Sequence, residues 1–310
     1  MDKPAVFTGH VHLKPLPPFD FHLSARIFSG GDKQIRSYGS GKFTQVLRLS
    51  NKLALVIISS SGSVDTPELD VDLNSDKKIT AQDILKTEEM VTRLFNLRLD
   101  LNPFYDEIRN DRTLAKIASL LRGLKSPGTV TVFEALVDSI IEQQISLAVA
   151  HAMETRLIKT LGDTLKLNSF NYYAFPTPES IASSTIEKLR SCGLSARKSE
   201  YIIGISKSID EGKLDLEGLR EKQKTVDIIE VLDSIRGIGV WTAELTVLRG
   251  MQKFDVIPAD DLGLRRTISK YNSNGKPITA EETRKIAEKW GKWKGLAAFY
   301  LIIANMTGIK

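Results

Sequence analysis

The chain has 310 residues, 42% of them apolar and 26% charged, with a formal net charge of +5. That length accommodates two or three small domains, and the composition is that of a globular protein, not a disordered or fibrous one. Cys192 is the only cysteine, which excludes an internal disulfide, a zinc site built on paired thiolates and a four-cysteine iron–sulfur cluster. The mild positive charge suits a polyanionic partner without singling out nucleic acid. Much of the excess sits late in the chain, at Arg265, Arg266, Lys270, Lys285, Lys289, Lys292 and Lys294. No apolar run reaches membrane-spanning length, and the N-terminal MDKPAVFTGHVHLKP lacks the apolar core of a signal peptide. The expected location is intracellular, in the cytoplasm or nucleoid or in a nucleus, with no membrane partner.

Residues 1–78 read as a β-rich unit. Phe19-Asp20-Phe21-His22-Leu23 alternates, Ser37 to Lys42 is a turn punctuated by glycine, and Phe43 to Leu49 alternates again. Leu53 to Ile58 is a continuous apolar run of strand length. A small antiparallel sheet is expected, serving as scaffold because it carries no chemical motif. Helical patterning takes over from about Ala81, with Thr80 as the cap of a helix to Phe95. Residues 79–128 are expected to join the sheet to a helical unit at 129–310. His10, His12, His22 and His151 show no metal-ligand spacing.

Within the helical unit, Phe133, Leu136, Val137, Ile140 and Ile141 fall on one helical face. Gln143 and Gln144 then interrupt the apolar rows, as a solvated helix end would. Phe175-Pro176-Thr177-Pro178-Glu179 has the proline and acid of a helix start. Helices are expected over about 181–190 and 196–211. Arg197 and Lys198, at the end of the link 192–198 that runs into the second helix, are either solvated charges or phosphate contacts. Near the C-terminus Trp290 and Trp293 lie three apart and share a helical face.

The chain is organised around residues 232–266. An apolar helix end, with Val231, Leu232 and Ile235, runs into the turn Gly237-Ile238-Gly239. A second helix is expected over 241–249, then a short extended piece over 254–258, then Asp260 and Asp261 side by side. Two glycines one residue apart let a backbone approach another surface closely and aim its N–H groups at a phosphate. Ile238 between them is expected to plug the two helices together. A bare Gly-x-Gly turn is common and often does no more than pack. Two acids delivered beside a phosphate-binding turn suggest chemistry on a nucleic acid as well as binding.

This stretch resembles the signature of the helix-hairpin-helix Gly/Pro…Asp DNA glycosylases of base-excision repair. Gly237-Ile238-Gly239-Val240-Trp241-Thr242-Ala243, Leu248-Arg249-Gly250 and Asp255-Val256 through Asp260-Asp261 are most similar to the type II (AlkA-like) 3-methyladenine DNA glycosylases. The Phe-Asp-Phe of the first unit, Phe175-Pro176-Thr177-Pro178 and the Trp290/Trp293 helix resemble the family too. The proline lies at Pro258, not beside the acids. The implied fold class is α+β: an N-terminal antiparallel β-rich domain followed by an all-α helix-hairpin-helix core, with the hairpin at 232–249 and the acid loop at 254–266.

The resemblance implies a monofunctional enzyme that flips an alkylated base out of double-stranded DNA and hydrolyses its bond to deoxyribose. Asp261 aligns with the catalytic acid, Asp260 being the second choice and the expected cap of the following helix. The base pocket falls on Trp241, Leu245, Leu262 and Ile302, less aromatic than in the bacterial type, with Phe28, Phe299 or Tyr300 as compensating candidates. Trp293 is a further candidate neighbour of the pocket. Gln144 takes the position of the wedge that enters the base stack. Gly237, Gly239, Val240 and Thr242 would hold the DNA backbone. Bifunctional relatives carry a Schiff-base lysine at the position of Trp241, so no lyase step is expected. No cofactor is required; a structural Na⁺ or K⁺ would take main-chain donors from Asp233, Ile235 and Ile238. The alternatives are an oxidised-purine glycosylase, which the missing lysine disfavours, and a non-enzymatic hairpin protein, which needs neither the acids nor the wedge.

Overall fold

The computed structural model describes residues 6–222 and 224–309. The chain opens with strand β1 (Phe7–Leu13) and helix α1 (Phe21–Phe28), followed by β2 (Arg36–Gly39), β3 (Lys42–Arg48), β4 (Leu53–Ser60) and β5 (Leu69–Ser75). The five strands form one antiparallel sheet in the order β1-β5-β4-β3-β2. Ser40 and Gly41, both at positive φ, make the two-residue turn between β2 and β3. The expected strand at Phe19–Leu23 is corrected here: Asp20 accepts the Leu23 N–H at 2.8 Å and caps α1 instead. A five-residue alternation is too short to outweigh an N-cap aspartate followed by buried Phe21, Ser24 and Ala25 at helical spacing.

The continuous apolar run of β4 has a physical reason, which is that both sheet faces are covered. Ala54, Val56 and Ile58 pack with Phe19, Phe21 and Phe95 against α1 and α2 (Ala81–Leu94). Leu53 and Leu55 face the other way, onto Leu165 and Leu167. As expected, Thr80 caps α2, in a reciprocal box with Asp83, whose carboxylate also takes Lys52 from the sheet at 2.6 Å.

Helices α3 (Asn102–Ile108) and α4 (Arg112–Leu120) come next, then α5 (Val132–Glu142) and α6 (Leu147–Leu161). No pattern in residues 164–173 announces the hairpin of β6 (Thr164–Leu167) and β7 (Phe170–Tyr173) found there. This is the element that covers the outer sheet face, and an Arg48–Asp163 ion pair joins the two. The chain continues through α7 (Pro178–Ala182), α8 (Ile186–Ser191), α9 (Ala196–Asp210) and α10 (Thr225–Asp233). It ends with α11 (Val240–Thr246), α12 (Leu262–Asn272), α13 (Ala280–Ala287) and α14 (Lys294–Thr307). Among the described residues no helix is long and apolar enough to cross a membrane.

The helices form two apolar lobes. One gathers α5 to α11, around Leu136, Ile140, Ile202 and Leu232. The other packs α3 and α4 against α12 to α14, around Phe104, Ile268, Trp290 and Tyr300. Trp290 is wholly buried, and its indole N–H donates to Asp111 at 3.0 Å. Lys125 ties the lobes to the N-terminal unit. Its buried ammonium donates to the carbonyls of Leu16 and Leu97 at 2.8 and 2.9 Å, and burial pushes it down to about 8. The space between the lobes, walled on one side by the β unit, is the main cleft.

Candidate active site

The hairpin joins α10 to α11. Ile238 is buried and packs into the lobe with Leu232, Ala243 and Val247, as expected of the residue between the glycines. Gly237 sits at φ +92°, and a Cβ there would meet the ring of Tyr201 at 2.3 Å, so only glycine fits. Gly239 and Val240 are exposed at the start of α11, where the first N–H groups have no partner within the helix. Thr242 is different. Its side chain is buried, and its hydroxyl accepts the Gln143 amide at 3.0 Å. The second helix extends through a π turn, Val247–Met251, that ends on Gln252 in a left-handed conformation.

Residues 254–258 then lead without regular structure to the paired acids. Asp261, not Asp260, caps α12: its Oδ1 accepts the Leu264 N–H at 2.7 Å. Its Oδ2 accepts the Trp241 indole N–H at 3.3 Å. The expectation that Asp260 caps the helix is therefore corrected. Asp260 is exposed and lies 3.4 Å from Arg284, which also forks onto the buried Glu244. Either aspartate is a chemically competent cap; the start of α12 decides between them.

A cleft of about 1420 Å³ collects the expected site residues. Trp241, Leu245, Asp261, Leu262 and Ile302 all line it, as does Gln144. Of the compensating aromatics, Phe28 and Phe299 reach the cleft. Tyr300 does not. It is buried, its hydroxyl donating to the Leu124 carbonyl at 2.6 Å, and burial raises it well above the usual tyrosine value. Trp293 packs away from the cleft, against Phe104 and Phe254.

Gln144 is exposed at φ +58°, on a tight turn that projects it from the end of α5. Lys198 proves not to be a free charge. Its ammonium donates to the carbonyls of Ile141 and Gln143 at 2.8 and 2.7 Å, closing the C-terminal end of α5. Arg197 remains exposed.

One wall of the cleft is charged in a way no motif signals. Asp138 and Glu142 of α5, Glu154 of α6, Arg36 of β2 and Arg249 of the π turn all line it. Glu142 and Arg249 pair at 2.6 Å, while Arg36 lies over the Phe28 ring and 3.9 Å from Glu154. Burial pushes the Asp138 carboxyl well above the usual carboxylate range; Glu154, Glu134 and Glu142 push the same way and Arg249 opposes them. The helical spacing of 134, 138 and 142 is the only trace of this cluster in the sequence.

Hairpin, projecting turn and acid loop around one cleft define a helix-hairpin-helix base-excision protein. The profile of the HhH-GPD superfamily of base excision DNA repair proteins matches residues 137–292. A DNA-3-methyladenine glycosylase of Bacillus subtilis is 34% identical over 83% of this chain and 84% of its own length. The solved 3-methyladenine DNA glycosylase of Archaeoglobus fulgidus superposes with a TM-score of 0.84 at 28% identity, covering 96% of this chain and 98% of that one. The Schizosaccharomyces pombe 3-methyladenine DNA glycosylase Mag1, solved with abasic DNA, superposes with a TM-score of 0.58 at 26% identity over 66% of this chain and 97% of its own. The chain belongs to the DNA-3-methyladenine glycosylase family of the HhH-GPD superfamily.

Proposed function

We propose that this protein is a monofunctional DNA glycosylase that excises N-alkylated purines, of the 3-methyladenine and 7-methylguanine type, from double-stranded DNA. The observation that carries the reading is Asp261. This carboxylate lines the cleft and is fixed by two N–H donors, one from its own helix and one from the indole of Trp241. Breaking the base–sugar bond puts positive charge on the sugar ring, as in glycoside hydrolysis. A carboxylate held beside the anomeric carbon stabilises that charge and can take a proton from the attacking water. An N-alkylated purine is itself cationic and a good leaving group. The faces of Trp241 and Phe299 favour such a cation.

Trp241 occupies the position of the lysine in bifunctional relatives. An indole cannot form a Schiff base, so the product is an abasic site in an intact strand. Gly237, Gly239, Val240 and the Thr242 backbone hold phosphate at the hairpin, and Gln144 fills the space the base leaves. A monovalent cation at the hairpin belongs to the same reading. The Ile235 carbonyl takes the Ile238 N–H, while those of Asp233 and Ile238 accept no main-chain N–H among the described residues. They are the oxygen donors a hard cation needs. Such an enzyme works where chromosomal DNA lies, in a nucleoid or a nucleus. The test is base release from methylated duplex DNA with strand cleavage scored in the same sample. Free 3-methyladenine or 7-methylguanine, with strands intact until alkali is added, is the expected result. Strand scission without alkali would refute the monofunctional assignment, and tight binding without release would leave a binding protein.

A further inference from the structure

Three segments far apart in sequence meet at the mouth of the cleft: the turn bearing Gln144, the Gly237–Gly239 hairpin, and the first turns of α9. Gln143, the neighbour of the proposed wedge, turns its side chain into the hairpin. Its amide donates to the Gly237 carbonyl at 3.1 Å and to the Thr242 hydroxyl at 3.0 Å. Its own carbonyl, with that of Ile141, takes the Lys198 ammonium at 2.7 and 2.8 Å. One turn further along α9, the Tyr201 ring lies against Gly237, closely enough to exclude any Cβ there. Lys198 and Tyr201 are three residues apart and therefore on one face of α9. That face touches the wedge turn with one residue and the hairpin with the next.

We propose that Gln143, backed by Lys198 and Tyr201, is a positioning residue that locks the wedge turn to the phosphate-binding hairpin, so that grip on the backbone and insertion of Gln144 act as one rigid unit. The inference rests on the glycosylase reading above and adds to it a means of force transmission. Pushing a base out of a duplex costs a few kcal/mol of stacking and pairing. A wedge on a free loop would recoil against that load. Gln144 stands at φ +58°, a conformation that a glutamine holds only when its surroundings impose it. The Lys198 ammonium is partly buried, and that desolvation lowers its proton affinity. Its two carbonyl partners are what compensate it there, so the contact is not an incidental surface one.

A strut of this kind matters in proportion to the work of eviction, and the test uses that. Single-turnover excision of 7-methylguanine is measured in two duplexes, with the lesion opposite cytosine and opposite a tetrahydrofuran abasic analogue. The unpaired lesion needs less work to flip. Gln143→Ala is expected to slow excision about tenfold opposite cytosine and at most twofold opposite tetrahydrofuran, so the ratio between duplexes shifts about fivefold or more. Lys198→Met, which leaves the Gln143 side chain in place, is expected to shift the ratio in the same direction, and it carries the test if Gln143→Ala lowers the folded fraction. An equal loss on both duplexes would show a merely structural role and overturn the proposal, as would no loss opposite cytosine. If the unaltered protein releases no base from either duplex, it is the glycosylase reading that fails, not the strut.

Discussion

Asp261 and Asp138 are carboxyl groups lining one cleft, and they are held in opposite ways. Asp261 receives two N–H donors, from Leu264 and Trp241. Asp138 has an oxygen that is buried with no hydrogen-bond partner, and its neighbours Glu134, Glu142 and Glu154 are all acids. At the acid loop, backbone and indole N–H groups orient the carboxyl group. Along α5, burial and like charge favour the protonated form, and two arginines, Arg36 and Arg249, neutralise only part of the cluster. The donors around each carboxyl group, not the carboxyl group itself, set the two apart.

The sharpest way to break that comparison is Asp261→Asn. Asparagine keeps an oxygen for the Leu264 N–H, so α12 retains its cap and the fold should be intact. It cannot stabilise an oxocarbenium-like sugar or accept a proton from water. Excision of 7-methylguanine is expected to fall roughly a thousandfold, within the range for loss of a general base. Binding to abasic-site DNA, read by fluorescence anisotropy, should persist. Retained activity would remove Asp261 from the mechanism.

The α5 acids answer to a different measurement. Glu134 is buried, and burial raises its carboxyl to about 7, with Glu154 and Glu217 adding to the effect and Arg36 opposing it. Folding therefore favours the protonated group. Its contribution to stability is present in full below its unfolded value near 4.5 and is lost as pH rises toward 7. Urea unfolding should show stability falling across that window. Glu134→Gln keeps the shape without the ionisation. It should flatten the slope and stabilise the protein at pH 8 by about 1–3 kcal/mol. An unchanged slope would place the titration elsewhere.

How much of this was legible in the sequence depended on the reach of each contact. The hairpin and the α2 cap at Thr80 were legible because they rest on short-range patterns or on a contiguous motif, whereas the grouping of Trp241, Leu245, Leu262 and Ile302 came only with the family resemblance. Phe19–Leu23 misled because five alternating residues fit a strand as well as a capped helix. The hairpin at 164–173 was hidden because four-residue strands are too short to show a period. Lys198 under the Gln144 turn and Gln143 against Gly237 pair residues 55 and 94 positions apart. Nothing local in either segment encodes such a partner.

The adjacent aspartates pose the finest version of the same contrast. The resemblance puts Asp261 first as the acid and Asp260 as the cap, although either residue type can cap the helix that follows. The structure separates them by what surrounds each one. Asp260 is more than half exposed, and its pairing with Arg284 at 3.4 Å leaves that arginine its closer contacts with Glu244 and the Ile257 carbonyl. An exposed pair of this kind contributes well under about 1 kcal/mol after solvent screening. Asp260→Asn is therefore expected to change excision by less than about threefold and to shift the melting temperature little. If it proves the inactive variant while Asp261→Asn survives, the donors around Asp261 serve only to cap α12, and Asp260 is the acid facing the sugar.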